Sequence, residues 1–134
     1  MSQYVTDTHA LIWHLYADPK LSPTCQSIFD RTDAGEDAIF VPSITLIEIL
    51  YLAEKKRISA NAVETSISLI ASEAENYQIA PLNIAVVQAT QRIDRSAVPE
   101  LPDRIIAATA LSLGLPLMSR DLKIASISSL KVIW

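Results

Sequence analysis

Cysteine is nearly absent. Cys25 is the only one, so no internal disulfide can form, and the chain is expected in a reducing cytoplasm. Charge is also scarce. Only 19% of residues are Asp, Glu, Lys or Arg, low for a free-standing soluble monomer, so part of the apolar surface is expected to be covered by another chain. There is no excess of positive charge. The net charge is -4, which argues against a nucleic-acid binder unless the acids gather around a cation. Long apolar runs are missing, and the opening MSQYVTDTHA has no basic segment. The sequence therefore predicts neither export nor a membrane span.

What is present is apolar and orderly. Half of the 134 residues are hydrophobic, with mean hydropathy +0.27, enough for one compact domain over residues 1–134. Short apolar stretches alternate with helical patterns. Strands are expected at residues 4–6, 39–41, 78–81, 115–118 and 131–133. Helices are expected at 8–16, from Ser22-Pro23 to Arg31, then at 44–57, 60–75, 84–95 and 103–113. The last stops at Gly114 with Pro116 behind it, and SAVPELP before it reads as a loop. Strands separated by helices imply an α/β fold, with a parallel sheet covered on both faces.

Four acids take positions that matter in such a fold. Ligands bind beyond the carboxyl ends of parallel strands. Asp7 follows the first strand, Asp121 follows the strand at 115–118, and Asp103 opens a helix behind Pro102. Each has an ordinary explanation as a helix N-cap. Glu48 has none. Its helical neighbours Ile44, Thr45, Tyr51 and Leu52 make a largely apolar face, where a lone carboxylate needs a partner or a metal. If all four converge, a divalent cation resolves their repulsion. Mg²⁺ or Mn²⁺ on oxygen ligands suits phosphodiester hydrolysis.

These residues sit in DTHALIWHL, VPSITLIEIL, LPDRIIAATAL and GLPLMSRDLKI, and the chain ends in VIW. In this order and spacing the segments resemble the PIN domain family, especially the VapC-type toxins of bacterial and archaeal toxin–antitoxin modules. The resemblance spans nearly the whole chain. It implies a five-stranded parallel sheet and a Mg²⁺- or Mn²⁺-dependent endoribonuclease that leaves 5′-phosphate and 3′-hydroxyl ends. Position by position, it implies that the metal-binding and catalytic acids are Asp7, Glu48, Asp103 and Asp121. Ser119 would support the fourth acid, and Glu100 matches a position often acidic in this subgroup. SAVPELP lacks the His-Arg-Asp-Pro stretch often found there.

Other residues are less specific. His9 lies close enough to Asp7 to contact substrate. His9 and His14, five apart, share no helix face and make a poor metal pair. Arg104, Arg120 and Lys123 adjoin the acids, as phosphate contacts or as ion-pair partners. Cys25 reads as a small core residue, and Lys55, Lys56 and Arg57 as cations closing a helix. Ile44–Leu52 is apolar almost all round, which predicts a helix buried on every side. The partners expected are an RNA substrate, a second copy in a two-fold homodimer, and a protein antitoxin docking near Ile44–Leu52 with a basic residue among the acids. Two rivals remain: a PIN-like scaffold that only binds RNA or protein, and an aspartyl phosphotransfer domain. The second lacks a D-x-D motif, since Thr8-His9 follow Asp7.

Overall fold

A computed structural model describes residues 1–72 and 74–134. Five short strands, β1 (Gln3–Thr6), β2 (Ala38–Pro42), β3 (Tyr77–Ala80), β4 (Leu117–Met118) and β5 (Val132–Ile133), form one sheet in the order β3-β2-β1-β4-β5, all parallel. The helices are α1 (Thr8–Leu15), α2 (Pro23–Asp33), α3 (Ser43–Glu54), α4 (Ala62–Ala71), α5 (Ile84–Gln91), α6 (Leu101–Leu113) and α7 (Leu122–Ala125). The expected five-stranded parallel α/β architecture is what the chain adopts.

Alternation along the strands builds two cores. Ile39, Val41, Tyr77 and Met118 face one side and pack with Leu11, Trp13, Phe29 and Ile49 from α1, α2 and α3. Val5, Leu117 and the partly buried Phe40 face the other side, against Val86, Ile106, Ala107 and Ile124 from α5, α6 and α7. Successive residues of a strand point to opposite faces, so a sheet covered twice needs apolar residues at every position. Cys25 is buried in the first core, as expected.

Local chemistry sets several helix ends. Ser22 Oγ accepts the Cys25 amide at 3.2 Å, with Pro23 following in the first turn of α2. Gly114, at φ 66°, closes α6 in the left-handed conformation that glycine adopts without strain. Some expected boundaries move. The helix expected to begin at Asp103 begins at Leu101, because Pro102 sits inside its first turn, where its missing N–H costs nothing. The expected 60–75 helix covers Ala62–Ala71, and Glu73 lies outside the described residues. Helix α7 is an addition.

The apolar helix α3 is not buried all round. Ile49 is inaccessible, but Ile47, Leu50 and Tyr51 are exposed, Tyr51 by 59%. Apolar composition alone does not specify burial on every side; α3 packs on α4, α6 and α1 and leaves its outer face bare.

Candidate active site

In the sheet, β1 is flanked by β2 on one side and β4 on the other, so the chain switches direction between β1 and β4. Crevices form at such points beyond the strand ends. Asp7 leaves β1 there, its amide donating to the Met118 carbonyl of β4 at 3.1 Å. Ser119 and Asp121 leave β4 beside it. A cavity of about 490 Å³ opens at this point, lined by Asp7, Glu48, Glu100, Asp103 and Asp121 with His9, Trp13, Lys20 and Arg120.

Each acid is fixed by its own element. Asp7 caps α1, accepting the Ala10 amide at 2.8 Å. Asp121 caps α7, accepting the Lys123 amide at 2.7 Å and the Ile124 amide at 3.3 Å. Buried Ser119 serves both: its Oγ accepts the Asp121 amide at 3.1 Å, and its side chain favours the charged form of Asp7. Glu48 reaches in from the middle of α3, and its partner is no arginine. The Thr8 hydroxyl donates to Glu48 Oε1 at 2.6 Å, with Thr45 Oγ1 3.3 Å from Thr8. Asp103 stands in the first turn of α6, three residues after Glu100.

The electrostatics follow from this crowding. Burial pushes the Asp7 carboxyl above its ordinary value; the Ala10 amide, Ser119 and His9 oppose the rise, and Asp121 adds to it. The Asp103 carboxyl is pushed up to about 7, first by burial, then by the charges of Asp121, Glu48 and Glu100 and by hydrogen bonding with Glu100. Without a cation this group therefore titrates near neutral pH.

The donor set is all oxygen and strongly anionic, which fits Mg²⁺ or Mn²⁺ better than a soft metal. Among the described residues, however, no three His, Cys, Asp or Glu side chains already stand as a closed cluster. The acids line one cavity while turned onto neutral donors: Asp7 onto an amide, Glu48 onto a hydroxyl, Asp121 onto two amides. As they stand, these side chains are not gathered around a common point.

A PIN domain profile matches residues 4–130. The chain belongs to the PIN domain family. No curated protein matches this PIN domain. Among solved structures, it is similar to a chain of VapBC2 from Rickettsia felis bound to a promoter DNA fragment, with TM-score 0.73 and 14% identity, covering 98% of this chain and 97% of that one. It is also similar to a chain of DNA-bound VapBC from Salmonella typhimurium, at 0.69 and 20%, covering 99% and 98%. A third is in FitAcB from Neisseria gonorrhoeae, at 0.67 and 19%, covering 98% and 96%. At these identities the likeness is one of fold, over essentially the full PIN domain.

Of the residues singled out in the sequence, the structure brings Asp7, Glu48, Asp103, Asp121, Glu100, His9 and Arg120 to the cavity, with Ser119 beneath. It does not bring Arg104 or Lys123. The Arg104 guanidinium donates to the carbonyls of Thr90 and Ile93, both at 3.0 Å, and so closes the end of α5 instead of facing a phosphate. Lys123 is exposed on α7 and outside the cavity lining. His14 turns away from His9, stacking on Phe29 at 4.3 Å and meeting Asp33 at 3.0 Å.

Three participants went unread in the sequence. Thr8 orients Glu48, and its place directly after Asp7 was the available signal. Trp13 and Lys20 line the cavity. Arg120 lies 4.6 Å over the Trp13 ring, and Lys20 Nζ lies 5.8 Å from it. Trp134, in the closing VIW, meets the same ring edge-on at 5.8 Å.

Proposed function

We propose that this PIN domain is a Mg²⁺- or Mn²⁺-dependent endoribonuclease and the toxin of a type II toxin–antitoxin module. One observation carries the reading. Five carboxylates share a cavity at the switch point of the sheet, and no cation of the chain pairs with them closely enough to form a salt bridge among the described residues.

Asp7, Glu48, Asp103 and Asp121 would hold the ion. Once bound, it supplies Lewis acidity, offsetting phosphate charge and easing deprotonation of an attacking water. The chain does the rest. Thr8 holds the Glu48 carboxylate and Ser119 holds the Asp121 backbone, so both acids are kept beside the cavity, from which their side chains would turn onto the ion. Asp103, whose carboxyl is pushed up by burial and then by the charges of its acid neighbours, would be held in its charged form by a bound cation. Arg120 and Lys20, gathered over Trp13, face a phosphodiester backbone at the cavity mouth and offset an otherwise repulsive field.

The exposed apolar residues of α3, Ile47, Leu50 and Tyr51, with Ile67 on α4, support a protein partner. We assign to such surface both a second copy in a homodimer and an antitoxin segment, whose basic residue would satisfy the acids and exclude the ion. The VapBC complexes solved from Salmonella typhimurium and Rickettsia felis support the antitoxin half of this assignment.

The test is cleavage of single-stranded RNA by the purified protein with Mn²⁺, with chelator, and with a matched DNA strand. Metal-dependent RNA cutting is expected. Tight RNA binding without cutting at any metal concentration would give the scaffold reading instead.

A further inference from the structure

A second cavity, of about 450 Å³, opens beside the acid site and shares His9, Trp13 and Lys20 with it. Its remaining lining includes Tyr16, Leu52, Arg57 and Ile58. Positions 9, 12, 13 and 16 recur at helical spacing, so one face of α1 and the residue that caps it form one wall. The end of α3 and the segment after it, with Leu52 and Ile58, form the other. The wall is aromatic and apolar; the rim is cationic. Tyr16 is 42% exposed although its ring has this groove to lie against. Asp18, the one acid here, is offset by Lys20, 3.8 Å away. The proposed chemistry uses Lys20 and Trp13 on the shared side, and leaves Tyr16, Leu52, Arg57 and Ile58 without a role.

We propose that the groove holds one unpaired base of the RNA substrate, adjacent to the phosphate that is cut. This rests on the ribonuclease reading above. Three features select that occupant. The groove is continuous with the acid cavity, so a strand lying across the acids passes over it. The exposed Tyr16 and His9 rings offer a stacking surface for an unstacked base, the common basis of single-strand recognition. Lys20 and Arg57 at the rim match the phosphates on either side of that base. A duplex is excluded as occupant, because its bases are already stacked.

The experiment measures kcat and KM with Mn²⁺ on a single-stranded oligoribonucleotide about a dozen bases long. The proteins are wild type, Tyr16→Ala, Arg57→Ala and Lys131→Ala. Lys131 lines a separate pocket at the other end of the strands and controls for loss of one positive charge. Tyr16→Ala is expected to raise KM about tenfold with little change in kcat, the size of one lost base stack. Arg57→Ala is expected to raise KM less and to flatten its salt dependence. A second arm walks a single abasic nucleotide along the substrate. One position should raise KM for wild type and add nothing further in Tyr16→Ala. Equal penalties in both proteins at every position, with cleavage intact, would overturn the groove and leave the ribonuclease standing. Unchanged KM in Tyr16→Ala with weakened binding of a protein partner would give the groove to that partner, and likewise overturn it. No cleavage by wild type would overturn both readings.

Discussion

The molecule contains two groups of acids that are handled in opposite ways. At the turn after α2, Asp37 is almost fully buried and is met by Arg31 at 2.8 Å and the Ser2 amide at 3.2 Å. Nearby Asp33 takes His14 on one oxygen and the Tyr77 hydroxyl on the other. These acids find cations or ionisable donors within the chain. At the switch point, Asp7, Glu48 and Asp121 find only amides and hydroxyls, and Asp103 finds other acids. The first arrangement is complete in itself. The second leaves a charge deficit, which a folded chain retains only at a cost to its own stability. The contrast separates acids paired within the fold from acids that, under the proposed function, would serve an incoming cation.

Substitutions should divide along this line. The largest effect is expected for Asp7→Asn and Asp103→Asn, which keep shape and remove charge. Each should lower metal-dependent RNA cleavage by roughly a thousandfold or more while circular dichroism stays native. Near-normal cleavage by either would erase the distinction. Asp121→Asn should be milder, since its carboxylate is already engaged by two amides.

Asp37→Asn should do the reverse. It removes the charge facing Arg31, so the melting temperature should fall by several degrees with kcat unchanged. A comparable loss of activity would show that the two groups are coupled.

The third effect depends on pH. In the metal-free fold the Asp103 carboxyl titrates near 7, against an ordinary value of 3.8 when unfolded. The folded state therefore binds the proton more tightly, and this group's contribution to stability falls as pH rises from about 4 to about 7. Above that range Asp103→Asn should be more stable than wild type, on the order of 1 kcal/mol after screening by solvent, and near pH 4 the two should agree. Thermal melts at both pH values check this. Mn²⁺ should close the gap at the higher pH, by stabilising wild type alone.

The smallest effect is expected for Tyr77→Phe, which removes a hydroxyl from Asp33 but leaves His14 in place. Urea titration should show a loss of about 1 kcal/mol with no change in cleavage.

Much of this was legible in the residues. The strand positions followed from short apolar runs, and Ser22-Pro23 and Gly114 marked helix ends because their chemistry is local. Asp7 and Asp121 could be placed beyond strand ends for the same reason. They also showed that capping and a role in the site are compatible: both cap helices and both line the cavity. What escaped was tertiary. Arg104 neighbours Asp103 in sequence yet points to α5, since helical neighbours diverge in direction. Helix α7 is a single turn, too short to leave a periodic signal. The bare face of α3 has the same composition as its buried face, so no pattern in the sequence separates them.

The place of β1 in the middle of the sheet has a consequence for timing. Val5 pairs with Leu117, and Asp7 meets Asp121 only when β4 has docked. Everything from α1 through α6 lies in the loop that this pairing closes. Contacts so distant in sequence form slowly, because the entropy of closure is met before the contact rewards it. Segments assembled earlier can join Glu48 to the start of α1 through Thr8, but they lack Asp121, which follows β4. The cavity is thus among the last things folding completes, and a partly folded chain carries the acids before they share one site.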